Sequence, residues 1–307
     1  MENKAFLTID SGGSKTRLAL YTADGTFIKE GTSSGFGLAE DSDEIIEEAR
    51  RVLSDFCVGY EISGAICNLG GKNKRQIKKT LKAVFPDVDE TVFRESEGTV
   101  GLELCKMYSA EVTLMVGTGA IAIALAGDNA VISGGWGANI SDKGSGYQLG
   151  LDAVQLALWE LDGTGELSLL TKALTGISEP PKPMNAAEYC DFRDRVRQSL
   201  MPFDRAHIAS FARTVYDCAK LGDRRSLELY KKVGYDLALL TISAAKKVGG
   251  ELNCAVVNGG MVNAKEFWKE SFEEKLKSEY NAVKIHYLIN GIDEAMCHMA
   301  KEIIKGE

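Results

Sequence analysis

The chain has 307 residues, 45% of them apolar and 26% charged, a composition typical of a globular protein with room for two domains. Its formal net charge of −8 argues against a nucleic-acid partner, because phosphate backbones are bound by basic surfaces. Seven cysteines without C-x-x-C spacing argue against a disulfide framework and against a zinc or iron–sulfur site. The sequence has no apolar stretch long enough to span a bilayer, so we expect a cytoplasmic protein without membrane contact.

The N-terminal segment predicts three strands joined by a glycine turn and a hairpin. A buried strand at 6–9 ends in Asp10-Ser-Gly-Gly-Ser-Lys-Thr16, strand character resumes at 17–21, and Asp24-Gly25 indicates a tight hairpin before a strand at 27–31. Because the glycine turn joins two strands and opens no helix, it is not a Walker A loop. Its glycines allow backbone amides to approach an anion, although an ordinary glycine-rich hairpin is the alternative.

The same pattern returns about a hundred residues later. A strand at 112–116 is followed by the turn Gly117-Thr-Gly119, a second strand at 120–126, a hairpin at Asp128-Asn129 and a third strand at 130–133. Two copies of one pattern in one chain predict a duplicated domain.

Helices and short strands fill the rest of the chain, so the predicted class is α/β throughout. Helical periodicity predicts helices at 43–56, 73–84, 145–161, 204–221, 224–248, 264–279 and 292–304, with short strands at 64–67, 255–257 and 283–287. A further glycine pair, Gly259-Gly260, follows the strand at 255–257. Three glycine turns after strands indicate a nucleotide held across a cleft.

Four motifs in this order resemble the BadF/BadG/BcrA/BcrD ATPase family of the sugar kinase–actin–Hsp70 superfamily, whose members include N-acetylglucosamine and glucosamine kinases. The residues that carry the resemblance are Asp10–Thr16, Gly117–Ala120, Gly134–Tyr147 and Asn258–Gly260. The block Gly134–Tyr147, with the pattern G-G-W-G-x-x-x-x-D-x-G-S-G-Y, is the most specific of them. The resemblance implies two duplicated actin-like (ribonuclease H-like) ATPase domains with a nucleotide cleft between them.

The same resemblance implies domain bounds and cofactors. An N-terminal domain would cover 1–110 and be completed by the last helix, 291–307, and a C-terminal domain would cover 111–290. ATP and Mg²⁺ would be the cofactors, with Asp10 close to the metal. The residues implied for nucleotide binding are Gly12, Gly13, Ser14, Lys15 and Thr16 in a first phosphate loop, Gly117, Thr118 and Gly119 in a second, and Gly259 and Gly260 beside the adenosine.

Sugar phosphorylation needs a carboxylate that accepts the proton of the attacking hydroxyl. Where kinases of the family carry an aspartate, this chain has Glu97, which has the same chemistry but reaches one methylene further. A misplacement of about 1 Å costs on the order of a hundredfold in rate. The resemblance implies Glu97 as the base, and capping of a helix N-terminus by its carboxylate is the alternative.

The resemblance also implies a sugar site. Trp136 would offer a flat apolar face to a pyranose ring, and Asp142 would accept its hydroxyls, whereas a core aromatic and a loop cap are the alternative interpretations. The asparagine that binds the sugar in family kinases is missing from 34–40. The implied substrate-binding residues are Asn68, Gly70, Gly135, Trp136 and Asp142.

Three functions are consistent with these patterns. The first is an ATP-dependent kinase for a hydroxyl of an amino sugar, namely N-acetylglucosamine, N-acetylmuramate or glucosamine. The second is an ATPase that couples its nucleotide state to a partner protein, although the cysteines that bridge an iron–sulfur cluster in such relatives are not clustered here. The third is a nucleotide-binding relative with weakened catalysis. A homodimer is expected from the resemblance alone.

Overall fold

A computed structural model describes residues 4–11, 16–22, 24–33, 43–69, 74–88, 94–95, 99–127, 129–138 and 140–305. The chain divides into two compact units, Met1–Met107 with Asn290–Glu307 and Tyr108–Ile289. Within the described ranges, no helix has both the length and the apolar character that crossing a membrane requires.

The first unit contains one five-stranded sheet with the strand order β3-β2-β1-β4-β5. β1 pairs antiparallel with β2 and parallel with β4, and β4 pairs parallel with β5. Its elements are β1 (Lys4–Ser11), β2 (Thr16–Thr22), β3 (Phe27–Ser33), α1 (Asp43–Phe56), β4 (Glu61–Leu69), α2 (Lys74–Val84), β5 (Arg94–Glu95), α3 (Thr99–Tyr108) and the returning helix α10 (Gly291–Lys305).

The second unit contains a sheet with the order β10-β9-β6-β7-β8. Its elements are β6 (Val112–Val116), β7 (Ala120–Ala126), β8 (Asn129–Gly134), α4 (Gly146–Trp159), α5 (Leu169–Thr175), α6 (Ala186–Ser199), α7 (Arg205–Lys220), α8 (Arg224–Lys247), β9 (Cys254–Asn258), α9 (Lys265–Lys277) and β10 (Lys284–Leu288). A π-helical turn, Glu160–Thr164, extends α4, and a 3₁₀ turn, Gly260–Ala264, precedes α9.

The two sheets are copies of one topology. In each, three antiparallel strands follow one another in sequence, a fourth strand pairs in parallel with the first, and a fifth pairs in parallel with the fourth. The prediction of a duplicated α/β fold is therefore confirmed. The central strands are the most apolar: every residue of β9 is buried, as is typical of strands covered on both faces.

Each unit has its own hydrophobic core. In the first, strand residues such as Leu7 and Leu20 pack with Leu53 of α1. In the second, Leu114 and Val257 belong to a larger cluster with side chains of the helices. Because the central strands are buried in these cores, their polar groups can be reached at the strand ends.

Three helices and the short strand β5 are absent from the sequence prediction. α6 is one of them because Val196 is its one buried residue, so it has no apolar stripe for periodicity to detect. The N-terminus of α6 could nevertheless have been predicted from the sequence, because Asn185 and Glu188 form a capping box. α3 and the seven-residue α5 are short, and β5 has two residues.

A glycine lets α7 cross α4 at close range. A Cβ added to Gly150 of α4 would lie 1.9 Å from the carbonyl oxygen of Ile208 in α7 and 3.4 Å from the Cβ of Phe211. Because the obstacle is backbone, it cannot rotate away as a flexible side chain would. The crossing fixes where α7 begins, and therefore where its first residues lie relative to the second sheet.

We expect Gly150→Ala to lower the free energy of unfolding by about 3 kcal/mol, because the two helices must separate to admit the methyl group. Urea unfolding followed by circular dichroism measures the change. Gln155→Ala, at an exposed position of the same helix, is the control and should stay within about 0.5 kcal/mol of the parent. A Gly150→Ala protein as stable as this control would contradict the tight crossing.

Candidate functional site

Two glycine turns lie at one edge of the second sheet. Gly117–Gly119 follows β6 and Gly259 follows β9, and these strands are parallel neighbours in which Met115 pairs with Asn258. The carboxyl ends of parallel neighbours meet at the same edge, which is where open α/β sheets bind ligands. The two turns are thereby brought together although they lie far apart in sequence.

Backbone packing at this edge requires a glycine. Gly259 has φ +123°, and a Cβ added there would lie 2.4 Å from the carbonyl oxygen of Val116 at the end of β6. Its amide donates to the carbonyl of Leu288 at the end of β10, with an N–O distance of 3.1 Å. The ends of β6, β9 and β10 are thus tied together, with no side chain at the position where the chain turns.

The turn Gly117–Gly119 is braced by the start of α4. The amides of Gly146 and Tyr147 donate to the carbonyls of Gly117 and Thr118 at 2.8 and 3.2 Å, and the Ser145 side chain caps the helix by accepting from the amide of Gln148 at 3.1 Å. No described residue accepts a hydrogen bond from the amide of Thr118 or Gly119. Two backbone donors of a fixed turn are therefore available to an anion.

An ion pair between a buried carboxylate and a half-buried arginine packs against the same turn. Asp142 is 2% exposed, and its Oδ2 accepts a hydrogen bond from Nη2 of Arg205, the first residue of α7, at 3.0 Å. A Cβ on Gly119 would lie 2.8 Å from that Nη2 and 3.4 Å from that Oδ2. Nε of Arg205 is buried without a hydrogen-bond partner in the described part of the chain. The pair places a fixed cation and a fixed anion beside the amides of the turn.

Arg205 is a site residue that the sequence analysis missed. It lies 63 positions after Asp142, outside every motif, and the helix to which it belongs was predicted without its tertiary contacts. The one local signal is Asp204, which caps α7 by accepting from the amide of His207 at 2.8 Å and so fixes Arg205 in the first helical turn.

Trp136 lies in the open and is not part of the core. It is 71% exposed within a run of three glycines with positive φ: Gly134 (+80°), Gly135 (+70°) and Gly137 (+100°). The amide of Gly135 donates to the carbonyl of Ala120 at 3.0 Å, which ties this run to the start of β7. An exposed indole on a constrained backbone offers a flat apolar surface to a ligand.

In the first unit, charged groups gather near the end of β1. Asp10 pairs in register with Asn68 of β4 and with Arg17 of β2, and Arg17 forms ion pairs with Glu30 and Asp293. Burial raises the pKa of Asp293; Arg17 opposes that shift and the charge of Asp10 adds to it. The negative charges of Asp10 and Asp293 therefore interact. Carboxylate oxygens are the ligands that Mg²⁺ takes in proteins.

Several predicted site residues lie outside the described residues: Gly12, Gly13, Ser14, Lys15, Gly70 and Glu97. Thr16, which closes the first glycine turn, is fully buried and pairs with Ser11. Gly260 opens the 3₁₀ turn before α9. The structure thus brings together Gly117, Thr118, Gly119, Gly259 and Asp142 in the second unit, and aligns Asp10 with Asn68 in the first.

Comparison with known proteins gives one family. The BadF/BadG/BcrA/BcrD ATPase family matches residues 7–295. An N-acetylmuramic acid/N-acetylglucosamine kinase of Clostridium acetobutylicum is 25% identical over 92% of this chain and 93% of its own length, and an N-acetyl-D-glucosamine kinase of Dictyostelium discoideum is 25% identical over 93% and 94%.

Solved structures show the same fold. A protein assigned as an N-acetylglucosamine kinase from Chromobacterium violaceum superposes with a TM-score of 0.71 at 20% identity, over 96% of this chain and 98% of that one. A glucokinase of the ROK family from Streptomyces griseus, determined with glucose and AMPPNP, gives 0.63 at 10% identity, over 99% and 100%. The actin-like ATPase fold implied by the sequence motifs is confirmed.

We expect Arg205→Met to lower the free energy of unfolding by roughly 2 kcal/mol, because it leaves the buried carboxylate of Asp142 without its cation. Arg205→Lys should be more stable than Arg205→Met, because it keeps a cation. Adding Asp142→Asn to Arg205→Met should recover still more stability, and a double-mutant cycle in urea measures the coupling. Arg213→Met removes an exposed pair on the same helix and should change stability by less than about 0.5 kcal/mol. Equal stability of Arg205→Met and Arg213→Met would show that the Asp142–Arg205 pair does not form.

Proposed function

Because the chain belongs to the BadF/BadG/BcrA/BcrD ATPase family, we propose that it is an ATP-dependent kinase that phosphorylates a hydroxyl of an amino sugar, with N-acetylglucosamine, N-acetylmuramate and glucosamine as the candidate substrates. Both curated relatives that match nearly the whole chain are amino-sugar kinases. The observation that carries the proposal is the edge of the second sheet, where two glycine turns meet and the Asp142–Arg205 pair packs against one of them. That edge supplies donors for phosphates and a carboxylate for hydroxyls.

ATP is held in this proposal by three glycine turns. The amides of Thr118 and Gly119 bind phosphate oxygens, and Gly259 and Gly260 line the adenosine because no side chain obstructs the approach there. Gly12, Gly13, Ser14, Lys15 and Thr16 form the remaining phosphate loop, as the family resemblance implies. Asp10 would hold a magnesium ion, which would offset the charge of the phosphates.

The sugar is held by Trp136 and Asp142. The exposed indole packs against the apolar face of the ring, and the carboxylate accepts hydrogen bonds from hydroxyls while Arg205 holds it in place. Gly135 presents backbone beside the indole, and the family resemblance implies Asn68 and Gly70 as further sugar-binding residues. Because Asp142 is already fixed by its ion pair, less conformational freedom is lost when a sugar binds.

The chemical step is a phosphoryl transfer with Glu97 as the base. The hydroxyl oxygen of the sugar forms a bond to the γ-phosphorus while the bond from that phosphorus to the bridging oxygen breaks, so that ADP leaves. The proton of the hydroxyl passes to the Glu97 carboxylate. We place the enzyme in the cytoplasm as a homodimer, following the resemblance to its family.

The central test is a coupled ADP-release assay with ATP and Mg²⁺ against amino sugars, N-acetylmuramate and plain hexoses. We expect sugar-dependent turnover that falls by about a hundredfold or more in Glu97→Ala, since a general base contributes 10²–10⁴ in rate. Glu95→Ala removes a carboxylate two positions away and is the control. Slow turnover that ignores both the sugar and Glu97→Ala would replace the kinase by an ATPase coupled to a partner protein.

Magnesium binding by Asp10 has a separate test. We expect Asp10→Asn to lower kcat by at least about a hundredfold and to raise the Mg²⁺ concentration for half-maximal rate, because a metal ligand is lost. Asp24→Asn, in the exposed turn between β2 and β3, is the matched control. An unchanged Mg²⁺ dependence in Asp10→Asn would exclude Asp10 as the ligand.

A further inference from the structure

A cavity of about 250 Å³ lies between the end of β8 and α8 in the second unit. We call it the α8 cavity; the lining residues that matter below are Ala120, Trp136, Lys143, Asp236, Leu239 and Leu240. Its volume is below the roughly 300–1,000 Å³ of pockets that enclose a whole drug-sized ligand. It can therefore receive a substituent of a ligand whose larger part lies outside.

One wall of the α8 cavity carries a buried carboxylate that no described residue satisfies. Asp236 is 8% exposed and forms no hydrogen bond or ion pair within the described part of the chain. Burial raises its pKa, although the nearby Lys232 and Lys143 act in the opposite direction. Because Asp236 lines the cavity and has no donor among the described residues, an occupant that presents an N–H or O–H group can hydrogen-bond to its carboxylate.

Two further properties of the cavity limit the chemical groups that it can bind. Lys143 and Lys247 also line the cavity, with Nζ of Lys247 donating to the carbonyl of Ile132 at 2.6 Å. The two lysines outnumber the Asp236 carboxylate, so a neutral N–H donor suits the cavity better than a further cation such as a free ammonium group. Leu239 and Leu240 offer apolar surface that suits a methyl group. An N–H donor, a carbonyl acceptor within reach of a lysine, and a methyl group together describe a secondary acylamide.

We propose that the α8 cavity binds the acylamino substituent of the sugar whose ring lies against Trp136, with the amide N–H donating to Asp236. Trp136 lines the same cavity and is 71% exposed, so it connects the substituent to the ring outside. This inference rests on the proposed function and makes Asp236 the residue that selects N-acetylated sugars over free amines and plain hexoses.

The test compares sugars that differ at one substituent. Asp236→Leu keeps the volume and removes the acceptor, and we expect it to raise KM for N-acetylglucosamine tenfold or more while KM for glucose changes less than twofold. Asp236→Asn keeps one acceptor oxygen and should give an intermediate loss. Asp152→Asn removes a neighbouring charge that acts on Asp236 but does not line the cavity, and should leave the preference for acetylated sugar unchanged.

A binding readout without ATP separates this inference from the kinase proposal. Saturation-transfer NMR should show strong saturation of the acetyl methyl protons of N-acetylglucosamine with the wild-type chain and weaker saturation with Asp236→Leu. Equal weakening for glucose and N-acetylglucosamine, or no weakening, would overturn the role of the cavity and leave the kinase intact. A wild-type chain that neither binds nor phosphorylates any of these sugars would overturn the proposed function, and the cavity assignment with it.

Discussion

The parallel pairing of β6 with β9 is the constraint on which the second unit depends. It forces two turns from distant parts of the chain to one sheet edge, where the carbonyl of Val116 occupies the space that a side chain at Gly259 would need. A backbone this close to its neighbour leaves few conformations to either turn. Amide groups held in this way can bind an anion without first being ordered, which lowers the entropic cost of binding.

A second layer of order comes from the helices. α4 begins against the turn Gly117–Gly119, and α7 approaches α4 at Gly150 so closely that its first residue, Arg205, reaches Asp142. Backbone donors and an ion pair are thereby supplied by different elements to one place. Stability and site geometry share these contacts, so a change that loosens the crossing also displaces the charges beside the turn.

The strands and glycine turns could be predicted from the sequence because buried strands leave apolar runs and tight turns leave glycines. The same local patterns could not show that Asp142 pairs with Arg205. The two residues are 63 positions apart, and helical or strand periodicity relates only residues that are close in sequence. Asp236 was hidden for a related reason: on a long helix, a carboxylate resembles a solvent-facing position until the neighbouring strand is placed over it. α6 could not be predicted from helical periodicity, because it is largely exposed and has no apolar stripe.

The matching registers of the two sheets bear on the history of the chain. Asp10 pairs with Asn68 across β1 and β4, and Met115 pairs with Asn258 across β6 and β9, so the duplicated strands keep an asparagine at one position and differ at its partner. A carboxylate in one copy corresponds to a thioether in the other. Duplication of this kind keeps the hydrogen-bonded scaffold, whereas the charge at the paired position differs between the two copies.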